Sequence, residues 1–239
     1  MLCSATNAYA GWYECYNFKG NVGSMPITLS LQIRKGYFGE PSKKNFNAIG
    51  IYKYDKYNSP IRLEGILDER SKRVTLYELS GKKYSAVFSF VFSENKCNRS
   101  WQNMTTGKKL PVDLVFLSKL ADLELEQAFS NVDIMQAQSL PGFYFQGSYK
   151  KIKGIDRAIM NKLRILRKGD GKLFQTIDLS NTEEPTGNLM TIIFDNLEVV
   201  NAGKQTIGLS RNIGNDQSPL IIKWSARLKR FEYDESSGH

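Results

Sequence analysis

Apolar and polar residues alternate along this chain in short runs. Ile27, Leu29, Leu31 and Ile33 are separated by Thr28, Ser30 and Gln32. Successive side chains of a strand point to opposite faces, so this spacing puts the four aliphatic residues on one face. The pattern returns over 49–54, over 61–67 with Gly65 interrupting, and over 74–79, 84–92 and 110–116. Turn-forming groups separate the runs: Asn58-Ser59-Pro60, Asp68 to Lys72, Ser80-Gly81 and Thr106-Gly107. Short strands at such regular spacing predict an antiparallel barrel or sandwich, or a propeller-like relative of these.

A second β-rich stretch follows. Residues 143–149, 163–167, 173–179, 189–194, 197–200, 206–209, 220–224 and 231–233 read as strands of a meander. Gly169-Asp170-Gly171 between two of them is a hairpin signal, because Asp-Gly and Gly-Gly tolerate positive φ. Both stretches open alike, Gly11-Trp12-Tyr13 against Gly142-Phe143-Tyr144. The segment between them differs. It is acidic and lacks Gly and Pro, and it places Leu120, Leu123, Ala128 and Phe129 at helical spacing. The expectation is a mostly β protein of two consecutive antiparallel lobes, 11–117 and 141–235, joined through 118–140 by a short helix at 119–129.

Met1 to Ala10 ends in Ala8-Tyr9-Ala10, the small-x-small form of a signal-peptidase site, and reads as the tail of a leader cleaved near Ala10. An exported, periplasmic protein is the expectation. Ser236-Ser237-Gly238-His239 reads as a tag remnant. The chain past the leader then holds two cysteines, Cys15 and Cys97. In an oxidising compartment they are expected to form one disulfide, stabilising by about 3–5 kcal/mol in the chain-entropy model; two buried thiols are the alternative.

The only histidine is His239. Histidine acid–base catalysis, Ser-His-Asp and Cys-His triads and histidine zinc sites are therefore ruled out for the rest of the chain. There is no GxxxxGK[ST] and no strand–GxGxxG–helix unit, and Asp195, Asn196 and Asn201 do not form a calcium loop, so no cofactor or metal is expected. Glu64, Asp68, Glu69 and Glu78 are the one carboxylate cluster that could serve a hydrolase. Their bland reading is solvated charge at strand ends. The formal net charge is +9. Its lysines and arginines lie in small clusters across both lobes, which suits loop tips better than a nucleic-acid patch. Tyr52-Lys53-Tyr54-Asp55-Lys56-Tyr57 interleaves rings and charge, and reads more simply as a strand showing tyrosines on alternate faces. Asn98-Arg99-Ser100 and Asn103-Met104-Thr105 match glycosylation sequons. No stretch approaches the roughly 20 apolar residues of a membrane-spanning helix.

Gly50, Tyr52, Tyr54, Ile61, Leu63, Gly65, Leu76, Glu78, Gly81, Trp101 and Gly107, with the closing 110–116 strand, resemble a β module common in secreted Gram-negative proteins. In the second lobe, Leu163-x-Ile165, Gln175-Thr176-Ile177, 197–201, Gly203, Ile207-x-Leu209 and Trp224 are similar to periplasmic inhibitors of invertebrate-type lysozyme and to related secretion-system immunity proteins. Those relatives carry Asn-Phe-Asp-Gly-Tyr where this chain has only Asn201-Ala202-Gly203. Ser80-Gly81-Lys82-Lys83-Tyr84 is similar to the Ser-Gly-x-x-Tyr element of membrane-associated lysozyme inhibitors. The resemblance implies a loop that enters an enzyme cleft and engages its carboxylates; the alternative is an ordinary hairpin turn.

The functional expectation is a non-enzymatic immunity or inhibitor protein. It would block a toxin that degrades the cell envelope, by inserting loops into that toxin's active site. Like charge would slow association with a basic lysozyme, so the expected toxin is neutral or acidic. The alternative is a module that binds anionic envelope polymer or lipid.

Overall fold

The computed structural model describes residues 13–34, 46–81, 83–91, 99–121, 128–154, 158–180, 186–188, 192–210 and 219–234. The expected leader, the tag remnant and Cys97 lie outside them.

The first eight strands are β1 (Tyr13–Val22), β2 (Met25–Arg34), β3 (Ala48–Tyr54), β4 (Ile61–Asp68), β5 (Arg73–Ser80), β6 (Lys83–Val91), β7 (Ser100–Asn103) and β8 (Lys109–Ala121). Each pairs antiparallel with the next, and β8 pairs with β1, which closes the barrel. An eight-stranded barrel is just wide enough to be filled by side chains or to hold one small ligand. Here Leu29, Leu31, Tyr52, Leu63, Leu76 and Phe88 are among the fully buried residues filling the interior. The aliphatic set on β2 faces inward as its alternation predicts. Gly65, which interrupts the β4 pattern, has a steric role. A Cβ there would lie 1.9 Å from the Thr75 carbonyl oxygen on β5, so only glycine lets the two strands approach this closely.

The second lobe contains two sheets. One has the path β12-β11-β10-β9, built from β9 (Phe129–Met135), β10 (Phe143–Lys151), β11 (Ala158–Arg167) and β12 (Leu173–Asp178), with β13 (Thr186–Asn188) also on β11. The other has the order β14-β15-β16-β17, from β14 (Leu197–Asn201), β15 (Thr206–Leu209), β16 (Leu220–Ser225) and β17 (Arg230–Tyr233). The β11–β12 hairpin turns through the expected Gly169-Asp170-Gly171, with Gly171 at φ +68°.

Two expectations change. The helix at 119–129 is absent from the described residues: Lys119–Ala121 finish β8 and Phe129 begins β9, with 122–127 outside the description. Leu120 pairs with Cys15 across β1–β8, and both pack into the core of the second lobe, so tertiary burial decides what helical spacing suggested. Of the strand expected at 189–194, the described part is a 3₁₀ turn, Ile193–Asp195. Its Ile193 and Phe194 are buried in succession, and the Ile193 N–H donates to Gln32 Oε1 of the barrel at 3.0 Å. The expected Cys15–Cys97 disulfide falls on Cys97, outside the described residues; Cys15 is fully buried in the core shared by the lobes.

The lobes are not beads on a string. Cys15, Ile51 and Leu120, on the outer face of the barrel, belong to the same core as Phe145, Tyr149, Phe194 and Ile207. Polar contacts surround it: Arg62 with Asp195 at 2.6 Å, Asn58 Nδ2 donating to the Lys168 carbonyl at 3.0 Å, and Lys151 Nζ donating to the Ala121 carbonyl at 2.9 Å.

Candidate functional site at the barrel mouth

In an up-and-down barrel alternate turns fall at the same end. The turns after β1, β3, β5 and β7 therefore form one mouth, and the segment Ser80-Gly81-Lys82-Lys83-Tyr84 is the β5–β6 turn on its rim. Gly81 supplies φ +62°, and Ser80, Gly81, Lys83 and Tyr84 are exposed; Lys82 lies outside the described residues. The Tyr84 hydroxyl donates to Glu64 Oε1 at 2.8 Å, and its ring packs on Tyr77 with centroids 5.0 Å apart. The tip is held against the barrel wall by the chain's own carboxylate.

Strand register sorts the carboxylates. Leu63 pairs with Glu78, and Glu64 with Tyr77. Leu63 belongs to the barrel interior, so Glu78 points inward while Glu64 points outward. Glu78 is buried, and three donors converge on it. The Tyr52 hydroxyl donates to Oε1, Trp101 Nε1–H donates to the same oxygen at 2.5 Å, and Ser85 Oγ donates to Oε2 at 3.0 Å. Burial, and then the adjacent Glu78 carboxylate, pushes the Tyr52 phenol far above its ordinary range. Burial raises Tyr54 as well, and the hydrogen bond to Glu64 raises Tyr84. These hydroxyls stay protonated at neutral pH and act as donors.

Two functional readings can be weighed on this geometry. Glu64 and Glu78 stand on opposite sides of one barrel wall and each is engaged by a tyrosine, so they cannot flank one scissile bond. Asp68, at the other end of β4, accepts from the Arg70 and Ser71 amides at 2.9 and 3.1 Å, which hold its carboxyl below the usual range. The part of the Tyr-Lys run that lies on β3 is also consumed, whereas Lys56 and Tyr57 beyond it are exposed. Lys53 is buried, with Nζ 2.6 Å from Asp55 Oδ1 and 2.8 Å from Asn58 Oδ1, over the Tyr144 ring. It cannot reach a phosphate. Among the described residues no group of three or more His, Cys, Asp or Glu is placed to hold a metal ion.

The mouth is closed below and apolar above. Rings step inward from Tyr57 through Tyr54 and Tyr52 to Phe88, with centroids 6.4, 5.4 and 5.0 Å apart. On the turns at this end Met25, Tyr57 and Met104 are 38, 58 and 50% exposed, and Tyr84, on the outer wall beside Glu64, is 39% exposed. The Met104 N–H donates to the Ser85 carbonyl at 3.0 Å, which ties the β7–β8 turn to the β5–β6 hairpin. The sequence singles out Tyr84, and gives Glu78 as one acid among four and, with Trp101, as a residue of the β module. It misses Trp101 and Ser85 as partners of Glu78, and the Met25, Tyr57 and Met104 rim. The available signal was parity: Glu78 follows Val74 and Leu76 at a spacing of two, which predicts a carboxylate inside the barrel.

Comparison of the chain with family models, with curated proteins and with solved structures returns no match, and the reading of this site rests on its own geometry.

Proposed function

We propose that this chain is a non-catalytic binding protein of the exported immunity or inhibitor class, which docks on a cell-envelope-degrading enzyme through the rim of the barrel mouth. The observation that carries the reading is the contrast within the mouth. Its inner polar groups, Glu78, Tyr52, Trp101 and Ser85, satisfy one another, whereas Met25, Tyr57, Tyr84 and Met104 on its hairpin turns are left to solvent. Large apolar and aromatic side chains on turns braced by a closed barrel suit a protein interface, where aromatic anchors dominate the binding energy. Preorganised turns also lose little freedom on docking.

The test is inhibition. Purified chain is titrated against peptidoglycan amidases and glycosidases acting on purified sacculi, and against a lipase acting on phospholipid vesicles. Stoichiometric inhibition of one of these enzymes is expected, weakened at least tenfold by Tyr84→Ala combined with Met104→Ser. Inhibition that ignores the double change would discard the rim. Turnover of sacculi or vesicles by the chain itself would discard the non-catalytic reading.

A further inference from the structure

The second lobe holds a different surface, independent of the barrel mouth. β12 and β17 are edge strands of separate sheets, and side-chain contacts that advance along both strands together put them side by side in the same direction. Gln175 of β12 meets Phe231 of β17, and Tyr233, two residues on, meets Asp178. Each of these contacts uses a side chain. The Gln175 amide donates to the Phe231 carbonyl at 2.8 Å and accepts from the Phe231 N–H at 2.9 Å. A side-chain amide thus sits where the peptide group of a neighbouring strand would sit. The Tyr233 hydroxyl donates to the Asp178 carbonyl at 2.7 Å.

Backbone groups of alternate residues face the same edge of a strand. Phe231 faces the seam, so Tyr233 does too. The Asp178 carbonyl faces the seam, so the N–H and C=O of Thr176 do too. Between these edges runs a cleft of about 570 Å³. Thr176, Lys223, Arg230, Glu232, Tyr233 and Asp234 are among its lining residues. Its charges come in pairs of both signs, Lys223 with Asp234 at 2.8 Å and Arg230 with Glu232 at 2.9 Å. Next to it Phe174, Trp224 and Phe231 pack edge and face, with centroids 5.9 and 5.2 Å apart, so both edge strands rest on a rigid base.

We propose that this cleft receives a short extended peptide segment, laid as a strand along β12 and β17. Two strand edges offer backbone donors and acceptors, which an extended peptide matches on both sides. Alternating cations and anions on the rim match a segment of mixed charge; a phosphate or an acidic glycan would meet Glu232 and Asp234 as well as the cations. The stretch from Gln175 to Asp178 has room for about four residues at roughly 3.3 Å each. The incoming backbone displaces the Gln175 amide from Phe231 and the Tyr233 hydroxyl from the Asp178 carbonyl, and takes over their hydrogen bonds.

The probe is a blocked hexapeptide that alternates valine with lysine and glutamate, added to the full chain and followed by amide NMR and hydrogen exchange. Saturable shifts and slowed exchange at the Thr176 and Tyr233 amides are expected. Gln175→Ala, which removes the competing amide, is expected to tighten binding by about fivefold, the worth of roughly one hydrogen bond. Thr176→Pro is expected to abolish binding while keeping the fold, since proline is tolerated on an edge where the N–H points away from the ladder. If that variant fails to fold, the exchange measurement on the unmodified chain still decides. No saturable shift at millimolar peptide, or shifts confined to other residues, would overturn the proposal. So would slowed exchange of the same two amides in concentrated chain without peptide, which would assign the cleft to a second copy.

Discussion

The barrel and the second lobe close their sheets in different ways. In the barrel every strand finds a ladder partner on both sides, down to the β8–β1 pairing that runs from Glu14↔Ala121 to Val22↔Val112. In the second lobe two edges, β12 and β17, meet across a seam held by the Gln175 amide and the Tyr233 hydroxyl. Full closure removes the exposed edge on which another chain can add. In the two proposals above, the barrel therefore engages a partner through its turns, and the second lobe through an edge. The lesson is that one β-rich chain can expose two kinds of surface, turns or strand edges, and the way each sheet is closed decides which.

The largest way to break this comparison is to open the barrel core. Phe88→Ala removes a fully buried ring that packs on Tyr52, and should cost about 3–5 kcal/mol in urea unfolding. Because Cys15, Ile51 and Leu120 of the barrel share a core with the second lobe, near-UV signals from both lobes should be lost together. Separate transitions would show that the lobes fold independently. Glu78→Leu comes next. It leaves the Tyr52 hydroxyl and the Trp101 indole N–H without their acceptor in a buried site, at about 2–4 kcal/mol for the two donors.

Alkaline pH sharpens the comparison of buried and exposed rings. Burial raises the phenols of Tyr52 and Tyr149 far above the usual value, and that of Tyr144 to about 12. A raised folded-state pKa means the stability these groups contribute is complete below the ordinary tyrosine value of about 10. It is lost as pH climbs past that value, because the unfolded chain ionises first. Phenolate absorbance should therefore rise in two stages, exposed tyrosines first and the buried ones together with unfolding. A single reversible step for all 12 tyrosines near pH 10 would contradict the burial. The smallest expected effect is at the seam. Gln175→Ala should cost only about 1 kcal/mol, since the seam stays solvated and Tyr233 still bridges it.

Much of this fold is legible from residue spacing. The β2 alternation names its inward face, and Gly169-Asp170-Gly171 marks its hairpin, because both signals are local. Leu120 misleads for the opposite reason: its spacing to Leu123 and Ala128 looks helical, but its burial against Cys15 depends on a strand 105 positions earlier. The candidate site divides in the same way. The Ser80-Gly81 turn is visible in five residues. The Glu78 cluster is not, since Tyr52 and Trp101 lie 26 and 23 positions away and meet only when the barrel closes. Gln175 stands in the stretch that resembles the lysozyme inhibitors, but nothing in its neighbours announces that its side-chain amide will stand in for a strand.

Native-state hydrogen exchange tests the difference in closure most directly. Amides in the β1–β8 ladder, such as those of Lys19 and Val115, should exchange only through global unfolding, whereas the amides of Thr176 and Tyr233 should exchange faster by orders of magnitude. Equal, global-level protection at both places would mean that β12 and β17 are joined by a true ladder, and the contrast between the two lobes would be lost.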